Sequence, residues 1–244
     1  MNRTAYYNGV GFDTLGLIIN KTVVPGCSPS KRQTVSIPDG PVIIEDTNVR
    51  DPLRITIECT LTEPDKLRDI YAMLQDEGVL ILPDEQDKYY YGILTISTPK
   101  NIILYYNKLT FTMTAEPYAY AVDNEEIDCP LTPISYYQYS IVNSAGTAPA
   151  EPAYTVKVVN NVTSFDLWTE HNDQKVAGCR FEPITGGETY TVDVKNRIVY
   201  DHNGNLVIDK ALQDFTKIVL LPGQNSICVS NAETLIVKKN ERWY

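Results

Sequence analysis

Along most of the chain, hydrophobic and polar residues alternate with a period of two, the pattern of strands that bury one face. The clearest case places Leu109, Phe111 and Met113 on one face and the threonines between them on the other. Short apolar runs at 79–82 and 89–96 are bounded by turn residues and predict two further strands. We therefore expect the first half to form a small β-barrel or β-sandwich.

A single helix is predicted after Thr62, because the apolar spacing there changes to that of an α-helix. Thr62 is the expected N-terminal cap, Pro64 suits the first turn, and Gly78 is expected to end the helix. The apolar residues at helical spacing are Leu67, Ile70, Tyr71 and Leu74. Farther along, residues 98–101 predict a turn.

A protruding hairpin, the arm, is predicted in the first half. Residues 31–37 and 42–44 are strand-like and flank 38–41, whose sequence Pro-Asp-Gly-Pro favours a tight turn. The return strand is expected to continue through Arg50 into 53–59. Because an exposed two-stranded ribbon is marginally stable alone, the arm predicts a protein partner.

The second half contains many strand-sized segments at regular spacing and no long helical pattern, which predicts a β-sandwich. The expected strands are 154–159, 164–168, 189–194, 197–200, 206–208, 218–221, 226–229 and 234–237. Turn residues predict hairpins at Gly186-Gly187, at Asn203-Gly204 and at 222–225.

A change of composition separates the two halves. Residues 123–152 are rich in Pro, Ser, Ala and acidic residues, and we place the domain boundary near residue 130. The expected domains are 1–130, which carries the helix and the arm, and 131–244, which forms the sandwich.

The composition is that of a globular protein. Of the 244 residues, 43% are hydrophobic and 21% are charged, which excludes a disordered chain. No window reaches the ~18 apolar residues of a membrane span, and the first residues lack the apolar core of a signal peptide. We therefore expect no membrane insertion and synthesis in a cytoplasm. The net charge of -10 argues against nucleic-acid binding.

Two residue types add to this picture. The five cysteines lie far apart with no Cys-x-x-Cys pair, so we expect reduced and mostly buried thiols. The 17 tyrosines are typical of β-rich proteins with partly wet contact surfaces. Adjacent tyrosines, as at 105–106 and 136–137, favour packing or subunit contact, with stacking on sugars as the alternative.

Candidate catalytic chemistry is scarce. The only two histidines, His171 and His202, lie beside turn residues and are too few for a histidine-based triad or a three-histidine metal site. Residues 201–205 predict a turn rather than an ion site, and the carboxylate pairs at 84–85 and 125–126 predict solvated loops. We therefore expect no enzyme activity, no metal and no cofactor. A cell-wall hydrolase is a third hypothesis, for which no acid-base pair can be nominated.

Taken in chain order, several stretches resemble the distal tail protein family of siphophages, and the resemblance spans nearly the whole sequence. In the first half these are Ile-Pro-Asp-Gly at 37–40, Arg-Ile-Thr-Ile at 54–57, Tyr-Tyr-Gly-Ile-Leu at 90–94, and 109–118, which ends in Glu-Pro-Tyr. In the second half, 143–147 with Pro152, 187–193 and 221–227 are similar to the family's galectin-like C-terminal sandwich.

The resemblance implies a hexameric hub at the virion tail tip that links the tail tube to the receptor-binding apparatus. N-terminal domains then close a ring around a central channel, and the arms reach neighbouring subunits through contacts at Pro38, Asp39, Gly40 and Arg50. The implied partners are other copies of the chain, the tail tube protein, a tail-associated hub protein and a receptor-binding protein. The implied site of synthesis is the host bacterial cytoplasm.

The alternative function is a carbohydrate-binding module that uses the C-terminal sandwich. Its candidate residues are Trp168, His171 and His202, because aromatic side chains on this type of scaffold commonly stack on sugars. The turns are too short to hold an inserted carbohydrate-binding domain, so sugar binding is not the primary prediction.

Overall fold

A computed structural model describes residues 4–36, 42–134 and 136–244, and for the arm residues within 32–48 it describes the backbone alone. The chain divides into two compact units, Met1–Val122 with Tyr244, and Asp123–Trp243. Both units consist mainly of antiparallel β-strands, which confirms the predicted fold class. No helix within the described ranges is long and apolar enough to cross a membrane.

The first unit contains one antiparallel sheet and the arm. Its strands are β1 (Tyr6–Tyr7), β2 (Val10–Gly11), β3 (Leu17–Val23), β4 (Ser30–Ser36), β5 (Val42–Arg50), β6 (Leu53–Leu61), β7 (Gly78–Leu82), β8 (Glu85–Ile96), β9 (Lys108–Ala115) and β10 (Ala119–Ala121). The order in the sheet is β2-β1-β7-β8-β9-β6-β3, and β10 pairs with β8. β4 and β5 form a separate two-stranded sheet.

The core of this unit lies on one face of β6 and β9. Every second residue of β6 is buried, as are Leu109, Phe111 and Met113 of β9. Ile57 pairs directly with Phe111, so the two side chains lie next to each other on the same face. The alternation in the sequence predicted this buried face, and the prediction is confirmed.

The predicted helix begins as a 3-10 turn at Pro64–Lys66 and continues into α1 (Leu67–Met73). Leu67 and Ile70 are buried, as their helical spacing predicted. The helix ends at Leu74, whose N–H donates to the Tyr71 carbonyl.

Two residues expected at the ends of this helix have other roles. The Thr62 hydroxyl does not cap the helix but donates to the Gly16 carbonyl at 2.9 Å, which ties the chain to the turn before β3. Gly78 does not end the helix but begins β7, where a Cβ atom would collide with the Asn8 side chain. Both residues make tertiary contacts, and a local sequence pattern does not predict such contacts.

A second short helix, α2 (Lys100–Tyr106), occurs where the sequence predicted only a turn. Pro99 occupies its N-cap position, and Asn107 ends it in the left-handed conformation with its N–H donating to the Ile103 carbonyl at 2.8 Å. Proline near the start and asparagine after the end are ordinary helix-boundary residues. The prediction of a turn is therefore wrong.

The arm is present as a hairpin of β4 and β5, with Ser36 paired to Val42 and Ser30 paired to Arg50. The expected continuation of the return strand into β6 is interrupted at Asp51-Pro52, because proline lacks the N–H that a ladder needs. The predicted tip, 37–41, lies outside the described residues.

The second unit is a β-sandwich. Its strands are β11 (Glu126–Cys129), β12 (Thr132–Ile134), β13 (Tyr137–Ser144), β14 (Ala153–Val158), β15 (Phe165–His171), β16 (Gln174–Phe181), β17 (Thr189–Asp193), β18 (Ile198–Tyr200), β19 (Gly223–Val229), β20 (Ala232–Lys238) and β21 (Arg242–Trp243). Within the described ranges, two five-stranded sheets have the orders β11-β20-β14-β17-β18 and β12-β13-β19-β15-β16. Inward residues of both sheets share one core, in which Phe165 stacks on Phe181 at 4.7 Å and lies 5.9 Å from Tyr190.

Several strands of this unit differ from the prediction. β11, placed before the expected boundary near residue 130, pairs with β20 of the second unit. β13 and β16 occupy stretches for which no strand was predicted. The segments 206–208 and 218–221 make only isolated bridges at Leu206 and Leu220 instead of full strands.

The predicted hairpin at Gly186-Gly187 is also wrong. This turn connects β16 to β17, and those strands belong to different sheets. The tight hairpin turn lies instead at Asn172-Asp173, between β15 and β16, where both residues have positive φ angles of 51° and 59°. Asn and Asp tolerate this conformation better than most residues, and it matches the twist of a two-residue hairpin.

Candidate functional site

The base of the arm is held by Arg50. Its Nη1 donates to the Ser28 carbonyl at 2.6 Å, and its guanidinium lies 4.1 Å from the centre of the Tyr244 ring. The Ser28 hydroxyl in turn donates to the Asp51 carbonyl, and Lys31 pairs with the Asp51 carboxylate at 3.3 Å. Arg50 therefore joins the end of β5 to the chain before β4 and to Tyr244.

The other predicted arm residues, Pro38, Asp39 and Gly40, lie outside the described residues. Their proposed contact with a neighbouring subunit stays a prediction. The described strands on either side of them pair as far as Ser36 and Val42.

The first unit also carries an exposed apolar surface on α2, which we call the α2 patch: Ile102, Leu104, Tyr105 and Tyr106. Leu104 is 56% exposed and Tyr105 is 83% exposed, whereas Ile103 is the buried residue of the helix. The two tyrosine rings lie 5.3 Å apart. Contiguous exposed apolar side chains of this kind commonly mark a protein interaction surface.

In the second unit, Trp168 lies on the outer face of the sheet that contains β15. Leu167 and Thr169 are buried, so the residues that alternate with them, Asp166, Trp168 and Glu170, project away from the core. Sequence analysis singled out Trp168 but not its neighbours, although the i, i+2, i+4 spacing of the three residues was a usable signal.

Trp168 forms one wall of a cleft with a volume of about 590 Å³, which we call the Trp168 cleft. Its lining residues are Tyr136, Tyr137, Asp166, Trp168, Glu170, Lys175, Ser230 and Asn231. The Tyr137 ring lies 5.0 Å from Trp168, and Lys175 Nζ lies 5.6 Å above the indole. Tyr136 is 81% exposed at the mouth and packs edge-on against Tyr137.

The floor of this face contains a buried thiol. Cys228 of β19 pairs directly with Trp168 of β15, so their side chains are neighbours. Burial raises the pKa of the Cys228 thiol to about 12, and the adjacent Glu170 carboxylate adds to the increase. All five cysteines are free and only Cys27 is exposed, as the sequence predicted.

The two histidines lie apart from the Trp168 cleft lining. His171 is the last residue of β15, opposite Gln174, and its Nδ1 is buried with no hydrogen-bond partner among the described residues. His202 lies in a turn beside the other sheet, with Nδ1 3.6 Å from Glu188. The structure thus brings Trp168 and His171 onto one strand and separates both from His202.

The turn that carries His202 is organised by Asp201. Its carboxylate accepts hydrogen bonds from the N–H groups of Asn203 and Asn205, both at 2.9 Å. The hydrogen bond from the Asn205 side-chain amide, together with these backbone bonds, lowers the pKa of Asp201. The Asp201 carboxylate therefore stabilises a turn, and the sequence predicted a turn at these residues. Across the described ranges, no group of three His, Cys, Asp or Glu side chains is arranged to hold a metal ion.

Comparison with solved structures identifies the architecture. The SPP1 Dit protein, described as a paradigm of hub adsorption apparatus in Gram-positive infecting phages, has a TM-score of 0.70 and 15% sequence identity, and the match covers 99% of each chain. The chain has the fold of a phage distal tail protein. The family resemblance drawn from the sequence is thereby confirmed at the level of the fold.

Other comparisons are weaker. Two chains from the phage p2 baseplate in its activated conformation, with Sr and with Ca, give TM-scores of 0.44 and 0.43 at 7% and 6% identity. They cover 92% and 94% of this chain and 90% and 91% of their own, and similarities this low support no argument here. No protein-family model matches the chain, and a search of curated proteins finds no match.

Proposed function

We propose that the protein is a structural component of a phage tail tip, a hexameric hub that joins the tail tube to the receptor-binding apparatus. The observation that carries this proposal is the match to SPP1 Dit over 99% of both chains. A β-sandwich alone is shared by many unrelated proteins, so it is the agreement along the whole two-unit chain that favours a hub over a generic binding module.

Two surfaces of the first unit suit ring closure. The arm is a two-stranded ribbon whose described strands pair only with each other, and such ribbons gain stability when a partner covers them. The α2 patch exposes Leu104, Tyr105 and Tyr106 on one short helix. A ring of identical subunits repeats the same head-to-tail contact at every subunit. In the proposed ring, a neighbouring copy therefore covers both the arm and the α2 patch.

The further partners follow from the same role: the tail tube protein and a tail-associated hub protein on the ring, and a receptor-binding protein on the outer sandwich. The protein acts in the virion tail tip after synthesis in the bacterial host. It contributes by holding these proteins in position, and no catalytic step is assigned to any of its residues.

Negative-stain imaging of the purified full chain tests the proposal. We expect rings with a central opening and six lobes at high protein concentration, because the ring interface is built into the first unit. Images of monomers alone at the highest soluble concentration would contradict a self-assembling hub.

Saccharide binding by the second unit is the second candidate function. The Trp168 cleft favours it, since an aromatic ring beside carboxylate, ammonium and amide groups suits a hydroxyl-rich ligand. Within the residue set proposed from the sequence, the structure favours Trp168, because neither His171 nor His202 lines the cleft.

A further inference from the structure

The indole of Trp168 is held in one orientation from three sides. Its Nε1 donates to Glu170 Oε1 at 2.8 Å, and the Tyr137 ring packs against it at 5.0 Å. On the neighbouring strand, Gly178 pairs with Trp168, and a Cβ atom there would come within 2.6 Å of Trp168 Cβ. A binding surface that is ordered beforehand loses little conformational entropy when a ligand arrives.

Polar groups of both kinds surround this ring. Asp166 and Glu170 supply carboxylate oxygens as acceptors, Lys175 supplies ammonium donors, and Asn231 supplies an amide. Several are fixed in place: Asp166 Oδ2 accepts from the Ser230 hydroxyl at 3.0 Å, and Asn231 Nδ2 donates to the Ser164 carbonyl at 2.9 Å. Donors and acceptors beside a flat apolar surface match a ligand that has hydroxyl groups at its rim and C–H groups on its face.

The charges of the cleft select against ionic ligands. Arg180 Nη1 pairs with Asp166 at 3.7 Å, and the ammonium of Lys175 offsets the carboxylate of Glu170, so the cleft has no net charge that would attract an ionic ligand. A cationic ligand meets competition, because Lys175 Nζ already lies 5.6 Å above the indole. A neutral ligand needs no charged partner from the cleft.

We propose that the Trp168 cleft binds a neutral saccharide, with Trp168 and Tyr136 as the stacking surfaces and Glu170, Asp166 and Lys175 as hydrogen-bonding groups. This inference rests on the second candidate function and is independent of the hub. The volume of about 590 Å³ lies within the range of small-molecule sites and suits a short oligosaccharide segment.

The test begins with the full chain on an array of neutral, sulfated and phosphorylated oligosaccharides that includes chitohexaose and maltohexaose. The neutral oligosaccharide that binds most strongly is then titrated by calorimetry. We expect Trp168→Ala to weaken its binding at least tenfold and Tyr136→Ala to weaken it about threefold to tenfold. Leu206→Ala is the control, because Leu206 is a 62% exposed apolar residue of the same unit and does not line the cleft.

Tyr136→Ala should fold normally, because the exposed Tyr136 ring contributes little to the core. Thermal unfolding of each variant checks directly that it is folded. Neutral-saccharide binding that survives both cleft variants would overturn the site while leaving saccharide binding by the second unit in place. No binding to any neutral member of the array would overturn both. Preferential binding of sulfated or phosphorylated members would overturn the neutral class.

Discussion

The α2 patch and the Trp168 cleft both contain a pair of adjacent tyrosines, but the two pairs have different surroundings. Tyr105 and Tyr106 lie 5.3 Å apart on a short helix whose other exposed residues include Ile102 and Leu104. Tyr136 and Tyr137 lie 5.2 Å apart beside a tryptophan, two carboxylates and a lysine. The sequence alone does not distinguish the two pairs, because both are two consecutive tyrosines.

The difference follows from what each surface offers a partner. The α2 patch has apolar area and few groups that must be matched, which suits a large protein surface that excludes water. The Trp168 cleft has a concave shape and directional polar groups, which suits a small ligand with complementary hydroxyls. We therefore propose that the first unit serves assembly and the second serves ligand recognition.

The largest expected effect comes from placing a charge in the α2 patch. Leu104→Glu should lower the association constant of the ring by at least about thirtyfold, because a buried unpaired carboxylate in an interface typically costs 2 kcal/mol or more. Light scattering as a function of protein concentration measures the change.

The matched control for this substitution is Ile141→Glu in the second unit, since Ile141 is 57% exposed and Leu104 is 56% exposed. It should leave the association constant within about twofold. Dissociation by Ile141→Glu but not by Leu104→Glu would reverse the assignment of the two units.

A smaller effect on assembly is expected from the arm tip. Asp39→Trp combined with Gly40→Val should weaken the ring about tenfold, because the predicted turn requires small residues and the tip is expected to contact a neighbour. Asn203→Trp, in an exposed turn of the second unit, should have no effect. If light scattering as a function of concentration gives the same association constant for both variants as for the unaltered protein, the tip makes no subunit contact.

The next prediction concerns the cleft alone. Gly178→Ala should destabilise the protein by about 1–3 kcal/mol and displace the indole, because the added Cβ comes within 2.6 Å of Trp168 Cβ and 2.9 Å of Lys175 Cε. Calorimetry should show a lower Tm, and tryptophan fluorescence should shift. Gly26→Ala, where nothing lies within 4 Å of the added atom, is the control. Equal Tm values for the two variants would show that the outer face is loosely packed.

The smallest expected effect is a change in thiol reactivity. The pKa of Cys228 and that of Cys59 are both raised to about 12 by burial, so both thiols remain protonated at pH 8 and should react slowly with a disulfide reagent. Trp168→Ala should speed the modification of Cys228 several-fold and leave Cys59, in the first unit, unchanged. Equal acceleration of both would indicate general loosening of the chain rather than a local opening.

The same raised pKa values set the pH range of stability. Each thiol ionises near pH 9 when unfolded and near pH 12 when folded, so its contribution is complete below pH 9 and is lost as the pH rises toward 12. Cys59→Ala should therefore reduce the loss of Tm between pH 9 and pH 11.

Much of the fold follows from local patterns, as the strand with Leu109, Phe111 and Met113 shows. β16 escaped prediction because its sequence, Gln-Lys-Val-Ala-Gly-Cys-Arg-Phe, does not alternate clearly and includes a bulge opposite Thr169 and Glu170. Its pairing depends on the Asn-Asp turn before it, a weaker signal than Asn-Gly.

The residues of the candidate site could also be predicted only in part. Trp168 is conspicuous in the sequence, but Lys175 reaches it only through the pairing of β15 with β16, and Tyr136 reaches it from the chain before β13. His202 is close to neither, because it lies beside the opposite sheet. Sequence could nominate the aromatic residue, whereas the grouping of its partners depends on tertiary structure.

Hydrogen–deuterium exchange of the full chain at low and high protein concentration tests the assignment of the two units most directly. We predict that higher protein concentration slows exchange in the arm strands β4 and β5 and in α2, the proposed subunit contacts, and leaves exchange in β15 and β16 unchanged. Protection confined to the second unit, or no dependence on concentration anywhere, would contradict the account.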